Sequence, residues 1–240
     1  MPRPRVGDST SDQDIFDSSA SAKHKVGQRA FLDDGRVFYY TRNAGTELDP
    51  GKLVQAEVIA STAANLAVTA TAAGANVVNV TPGSVTHNAD VFAEGYLFVN
   101  DVDGEGYTYK IRSHPAVVSA TALDFTLYDN IKVALTTSSQ VTLMKNPWAD
   151  VVISGTSQAL FKVGIPNATI AASEYGWVQT WGSIAGWDNE NSAIGALLTG
   201  GTGTAGRIEA QDAVAEQIVG VQLYTGVDTE YYPKFLTIAP

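Results

Sequence analysis

Short runs of β-branched and aromatic residues, separated by turn-forming residues, constrain this chain more than any other feature. Between residues 76 and 145 these runs are rich in Val, Tyr, Phe, Ile and Thr, and each is bounded by Gly, Asp, Asn, Pro or Ser. The runs are NVVNV, EGYLFVND, GYTYKIRS, ALDFTLYD, IKVALT and QVTLM. Strands that recur at roughly 8–12 residues are typical of β-sandwiches and barrels. The pattern therefore predicts an all-β block here.

The same alternation continues on both sides of this block. Asp34-Gly35 lies between two apolar stretches, and Asp-Gly is a strong hairpin signal because it accepts positive φ. After the break at Asn146-Pro147, further runs alternate with glycine-rich turns. These runs are VVISG, ALFKVGI, YGWVQTWG, SAIGALLT, EQIVGVQLYT and EYYPKFLTI. We therefore predict a mainly β fold of two consecutive sandwich- or barrel-like blocks of short antiparallel strands, at residues 26–147 and 148–240.

Little helix is expected, and the N-terminus is expected to be an extended arm. The helix candidates are residues 53–60, on Ala content, and Ile208–Ile218, which is equally compatible with a strand and a loop. Residues 1–25 show no periodicity, and termini of this composition are usually disordered unless they are tied down. Ile15 and Phe16 are an isolated apolar pair in this arm. They are either its point of attachment or two incidental hydrophobic residues.

The distribution of charge indicates what kind of partner the chain can bind. Lys and Arg number 15 and Asp and Glu 25, a net charge of −10. Residues 1–52 are neutral overall, whereas the acidic excess lies in residues 53–240. A polyanion such as DNA would be repelled, because nucleic-acid binding requires clustered positive charge. We expect the N-terminal segment to face a partner surface while the acidic remainder faces solvent. The arm residues expected to contact the partner are Arg3, Arg5, Ile15, Phe16, Lys23 and Lys25.

Reactive side chains are scarce, so no enzymatic activity and no cofactor or metal is predicted. Cysteine is absent, which excludes disulfides and thiolate chemistry. The histidines, His24, His87 and His114, lack a second ligand at a metal-binding spacing, and no Ser lies in a GxSxG sequence. The N-terminus has no apolar signal-peptide region, and no run reaches the roughly 18 apolar residues that span a bilayer. No membrane association is therefore expected.

Two glycine-rich segments resemble ligand-binding motifs but are better interpreted as turns. The segment Asp101–Gly106 begins like a calcium loop, but Arg112 occupies the twelfth position, where an acidic ligand is required. Its flanking runs predict a hairpin turn instead. Gly201–Gly206 matches GxGxxG, but the sequence after it is typical of a strand and not of the helix that a dinucleotide site needs. A surface loop is the preferred interpretation.

Three of the four tryptophans, Trp177, Trp181 and Trp187, lie within eleven residues. Clustered aromatic residues stabilise either a core or an interface. We expect these three to form part of the core or of an oligomer interface. Exposed Tyr and Trp faces would alternatively stack on sugars, which makes a carbohydrate-binding module a second functional interpretation.

Three segments resemble head proteins of tailed phages, particularly of marine phages, that serve as decoration or cement components. The first is Leu32–Tyr40 with Ala44-Gly45 and Gly51–Leu53. The second is Asn88–Leu97 with Gly104–Tyr107 and Ile111. The third is Tyr175–Gly182, followed by Ile194-Gly195 and Ile218–Gly220. Together they extend over most of residues 26–225, whereas the loop 200–206 and residues 53–75 match nothing in the family.

The resemblance implies a non-enzymatic structural virion protein that binds and stabilises the outer surface of a phage head. It implies the major capsid protein as partner, a homo-oligomer with a trimer favoured, and a location on the virion after assembly in the host cytoplasm. Another virion component, such as a tail or fibre protein, is the alternative. A cement protein needs no reactive side chain, because many weak contacts are multiplied by the symmetry of the shell.

Overall fold

The computed structural model describes residues 3–57, 63–83, 86–116, 121–157 and 161–240. In these residues the chain is entirely β and contains no α-helix, so the predicted mainly β fold is confirmed. The strands before residue 60 are β1 (Arg5–Val6), β2 (Ser9–Thr10), β3 (Arg29–Phe31), β4 (Val37–Arg42) and β5 (Val54–Gln55). Those between residues 60 and 146 are β6 (Leu66–Val68), β7 (Val77–Thr81), β8 (Tyr96–Asp101), β9 (Thr108–Ser113), β10 (Leu123–Leu127) and β11 (Gln140–Met144). The remaining strands are β12 (Val152–Ile153), β13 (Lys162–Pro166), β14 (Tyr175–Trp187), β15 (Leu197–Gly200), β16 (Ile208–Ala210), β17 (Gly220–Gln222) and β18 (Tyr231–Thr237).

The chain divides into two compact units, and the division differs from the predicted one. The first unit contains residues 1–57 and 147–240, and the second contains residues 58–146. The predicted blocks, 26–147 and 148–240, are therefore replaced by a discontinuous unit whose sequence is interrupted by the other. The reason is strand pairing: Val37–Arg42 pairs with the N-terminal half of Tyr175–Trp187, more than a hundred residues later.

The second unit is a closed barrel with the order β10-β7-β6-β11-β8-β9. Strands β8, β9 and β10 follow one another as hairpins, and β11 returns to pair with β8, which is a Greek-key arrangement. Alternate residues of each strand point inward and fill the barrel with a hydrophobic core that includes Val78, Leu97, Ile111, Phe125 and Val141. The predicted strand IKVALT is absent, because residues 131–136 form bends with a single bridge from Leu135 to Thr71.

In the first unit, described strands form a sheet in the order β16-β15-β17-β18-β14-β4-β3-β1-β2. The thirteen-residue β14 is its central strand and pairs with β4, β13 and β18. The Asp34-Gly35 hairpin predicted from the sequence joins β3 to β4, with Gly35 at a φ of 88°. Neither helix candidate is confirmed: residues 54–55 and 208–210 are strands, and residues 58–60 lie outside the described part of the chain.

The N-terminal segment is packed into the first unit and is not a free arm. Ile15 is 1% exposed and lies in a core cluster with Ala30, Phe38, Tyr40 and Trp177. The Gln13 side chain contributes to this attachment by accepting a hydrogen bond from the Tyr40 hydroxyl at 2.7 Å. Of the two interpretations of Ile15 and Phe16, Ile15 is thus the point of attachment, whereas Phe16 is 55% exposed.

Candidate interaction surface

The three clustered tryptophans occupy different environments along β14. Trp177 is buried in the same core cluster as Ile15, makes an edge-to-face contact with Tyr40 at 4.9 Å, and donates its indole N–H to the Gln13 carbonyl at 3.3 Å. Trp181 and Trp187 are only partly buried. Trp177 is therefore a core residue, and the other two remain available to a surface.

The register between β14 and β18 places Trp181 and Trp187 on the outward side of the sheet. Directly opposed residues of an antiparallel pair share a face. Ser183 is opposite Phe235 and Ala185 is opposite Pro233, and these four residues are partly or fully exposed. The intervening pair, Gly182 and Leu236, is buried on the other side. This alternation identifies one solvent-facing and one core-facing side of the sheet.

The solvent-facing side continues as an apolar surface onto β17 and β15. Val221 is opposite both Phe235 and Leu197, and Leu197 is 50% exposed. Leu223 donates its backbone N–H to the Pro233 carbonyl and is 43% exposed. We name this surface the outer face. It consists of Trp181, Ser183, Ala185, Leu197, Val221, Leu223, Pro233 and Phe235, of which none is charged.

The outer face contains a pair of aromatic rings in contact. The rings of Trp181 and Phe235 meet edge to face at 5.7 Å, an arrangement that the ring quadrupoles favour. The core-facing side of the same strands is anchored by Leu198, Val219 and Leu236, which are buried in a single cluster. The outer face is consequently an apolar surface on a well-packed sheet and needs little ordering before it binds a partner.

Cationic side chains cover Trp187 at the margin of the outer face. The Arg207 guanidinium lies 4.3 Å and the Lys52 ammonium 5.2 Å from the Trp187 ring centroid, which are cation–π distances. Arg207 also pairs with Asp228 at 3.0 Å, and Lys52 with Asp49 at 2.5 Å. Trp187 is therefore partly covered by paired cations, whereas Trp181 belongs to the uncharged outer face.

The predicted contact residues of the N-terminal segment differ in their exposure to solvent. Arg3, Lys23 and Lys25 are exposed, and Arg5 lies 3.7 Å from Asp33 in an exposed ion pair. The burial of Ile15 corrects the expectation that it contacts a partner, because its side chain has no accessible surface to offer. The exposed cations and Phe16 remain candidates, but sequence reasoning missed the outer face, whose residues come from the four strands β14, β15, β17 and β18 and from Leu223 directly after β17.

His114 belongs to the packed interior, and the glycine-rich segments form connections between strands. His114 is buried beside Phe125, and its Nε2 accepts a hydrogen bond from the Phe92 backbone N–H at 3.0 Å. Burial lowers the pKa of His114. Residues 102–107 form the turn between β8 and β9, as predicted, and residues 201–207 connect β15 to β16. No group of three or more His, Asp or Glu side chains able to hold a metal ion occurs among the described residues.

A groove lies beside Tyr231 in the first unit. It has a volume of about 640 Å³ and is lined by Asp49, Lys52, Pro166, Asn167, Ala185 and Tyr231, among others. Gly51 lies under the Tyr231 ring, where an added Cβ would come within 2.7 Å of that ring. The groove thus combines an aromatic wall with a carboxylate, an amide and an ammonium group.

Comparison with known proteins gives no relative: no family model, no curated protein and no solved structure matches this chain. In the described residues, no helix has the length and apolar character needed to cross a membrane.

Proposed function

We propose that this chain is a non-enzymatic capsid decoration protein that binds the outer surface of a phage head and stabilises it. The observation that carries the proposal is the outer face, an uncharged aromatic and aliphatic surface on a rigid β-sheet. Contiguous exposed apolar surface of this kind marks interaction sites on proteins that are otherwise polar. The sequence resemblance to phage head proteins supplies the identity of the partner, the major capsid protein.

The charge of the chain favours a shell subunit over a second copy as the occupant of the outer face. With a net charge of −10, two copies approaching through the same surface would repel one another. A shell subunit that presents an apolar or cationic patch meets no such repulsion. The homotrimer implied by the resemblance belongs to the proposal as the arrangement in which three outer faces bind the shell together, which raises avidity without strong individual contacts.

Binding through the outer face should depend on its exposed leucines. We expect the double substitution Leu197→Lys and Leu223→Lys to abolish co-sedimentation with expanded phage heads, because two charges would be buried against the shell without partners. Both leucines are about half exposed, so the substitutions leave the folded protein intact.

Val214→Lys is the matched control, since Val214 is fully exposed and lies outside the outer face. It should co-sediment like the wild type. Full binding by the double variant would contradict the proposed surface, and failure of the wild-type protein to bind any head would contradict the proposed function.

The groove beside Tyr231 supports carbohydrate binding as a second candidate function. Sugars stack their C–H faces on aromatic rings, and their hydroxyls donate to carboxylate and amide oxygens such as those of Asp49 and Asn167. If carbohydrate binding is the principal function, the protein should bind sugars on a glycan array. The Tyr231→Ala variant should then lose that binding. Glycan binding without head binding would favour this candidate, and head binding without glycan binding would reject it.

A further inference from the structure

A buried lysine and a buried aspartate lie in contact inside the first unit. Asp188 directly follows β14, and Lys234 lies in the adjacent strand β18. The Lys234 Nζ is 2.8 Å from the Asp188 Oδ1, and both side chains are completely inaccessible to solvent. The pair joins two strands that form the centre of the sheet, and it takes no part in the proposed interaction surface.

The charged atoms of this ion pair have few further hydrogen bonds. Asp188 Oδ2 is buried without a hydrogen-bond partner among the described residues, and Lys234 Nζ has only one further contact, with the Tyr232 carbonyl at 3.5 Å. Buried ion pairs are stable when additional hydrogen bonds satisfy their remaining lone pairs and protons, which this arrangement does not provide. Burial raises the pKa of Asp188 and lowers the pKa of Lys234, so it favours the neutral acid and the neutral amine.

We propose that Lys234 and Asp188 form an intramolecular isopeptide bond. A proton moves from the Lys234 ammonium to the Asp188 carboxylate, which leaves a neutral amine and a carboxylic acid. The amine nitrogen attacks Asp188 Cγ, the C–N bond forms, and Oδ2 leaves with two protons as water. The net change is one amine plus one carboxylic acid giving one amide plus one water, and it needs no oxidant or co-reactant.

The surrounding groups match the amide better than they match the ion pair. Gln222 Nε2 lies 3.4 Å from Asp188 Oδ1 and would donate to the amide carbonyl, polarising it during the attack. The Tyr232 carbonyl, 3.5 Å from Lys234 Nζ, would accept a hydrogen bond from the amide N–H. The Asp188 oxygen that has no partner is the one that leaves as water.

Two glycines leave the space that the lysine chain and the aspartate carboxyl group occupy. A Cβ at Gly186 would come within 2.7 Å of Lys234 Cδ, and a Cβ at Gly226 within 2.9 Å of Asp188 Cγ. Side chains at these positions would push the lysine chain and the carboxyl carbon out of place. Close packing therefore orients the amine against the carboxyl carbon, and orientation of this kind is a large part of the acceleration of intramolecular reactions.

The bond would supply a cross-link to a chain that has no cysteine. It would close a loop between residues separated by 46 positions and would restrict the unfolded chain, as a disulfide does. A permanent connection between β14 and β18 would keep the central sheet intact under conditions that unfold uncross-linked proteins.

Intact mass spectrometry of the denatured full-length protein tests the bond directly. We expect the wild type to be lighter by one water molecule than its sequence requires, and fragmentation of a protease digest to show residues 188 and 234 in one branched peptide. Lys234→Met and Asp188→Ala should each show the full mass. Lys162→Met, which replaces the other fully buried lysine, should retain the loss of water.

The wild-type measurement does not depend on whether any variant folds. A wild-type mass that equals the sequence mass would overturn the proposal, as would a loss of water that persists in Lys234→Met. Gln222→Ala gives a second readout: the fraction of cross-linked protein shortly after synthesis should fall, because the polarising donor is lost.

Discussion

Lys162 is a buried cation whose titration should be visible in the stability of the protein. Its side chain is fully buried, and its Nζ donates to the Ser157 carbonyl at 2.9 Å and to Gln55 Oε1 at 3.3 Å, both neutral acceptors. Burial lowers the pKa of Lys162 from 10.5 to about 8. The unfolded chain thus holds this proton more tightly than the folded chain does.

The sign of the pH dependence follows from this difference in proton affinity. Below pH 8 the folded protein must bury the charged amine, which costs about 3 kcal/mol relative to the unfolded state. The penalty declines between pH 8 and pH 10.5, so Lys162 makes the free energy of unfolding rise with pH over this range. In Lys162→Met we expect a flatter dependence in urea unfolding, whereas the exposed Lys23→Met should retain the wild-type slope. Equal slopes in wild type and Lys162→Met would refute the assignment.

Trp177 tests the attachment of the N-terminal segment. Replacing it with Ala should reduce the free energy of unfolding by about 3–5 kcal/mol, because the change opens a cavity against Ile15, Phe38 and Tyr40. Phe16→Ala is the control, since Phe16 is mostly exposed and its removal should change stability by no more than about 0.5 kcal/mol. Denaturant unfolding measures both, and a Trp177→Ala protein as stable as the control would show that the segment is not packed in solution.

At the scale of strands, local sequence predicted most of the elements but not their partners. The Asp34-Gly35 hairpin and the run containing Trp177 were predictable, because turn chemistry and β-branched or aromatic content are local signals. IKVALT has the same content and is not a strand, since its backbone is bent and only Leu135 forms a bridge. β-Branched and aromatic residues fit a pleated, half-buried surface. Whether a partner strand is present depends on the rest of the fold.

The division into units and the outer face were not predictable for the same reason. Pairing of β4 with β14 places residues 37–42 in the same unit as residues 175–187, and no local pattern encodes that choice of partner. Leu197, Val221 and Phe235 form one surface only after β15, β17 and β18 are in register. By contrast, Trp177 lies in the core, as one of the two predicted alternatives, whereas an interface role of Trp181 and Trp187 stays a prediction.

Close packing between β17 and β18 gives a test at this scale. An added Cβ at Gly220 would come within 2.3 Å of the Phe235 carbonyl oxygen, which belongs to the paired backbone and cannot move aside. We expect Gly220→Ala to lower the free energy of unfolding by about 1–3 kcal/mol, as overpacking does. Gly45→Ala, where a Cβ meets open space, should be close to wild type in the same thermal unfolding experiment. Equal melting temperatures for the two variants would contradict the packing of β17 on β18.

For the whole molecule, charge and surface character agree with a binding role. The acidic excess disfavours nucleic acid and the pairing of two copies through their outer faces, and the outer face provides an uncharged apolar area. Since Ile15 belongs to the core, removing residues 1–25 would disturb the fold and cannot serve as a test of partner binding. Surface substitutions on the outer face instead test partner binding without disturbing the fold.

Cryo-EM of phage particles that carry this chain, as proposed, shows where the chain binds. We expect density for this chain on the outside of the head, with Trp181 and Phe235 of the outer face turned toward the major capsid protein. Density that places the chain in the tail or a fibre, or on the head with the outer face turned to solvent, would contradict it.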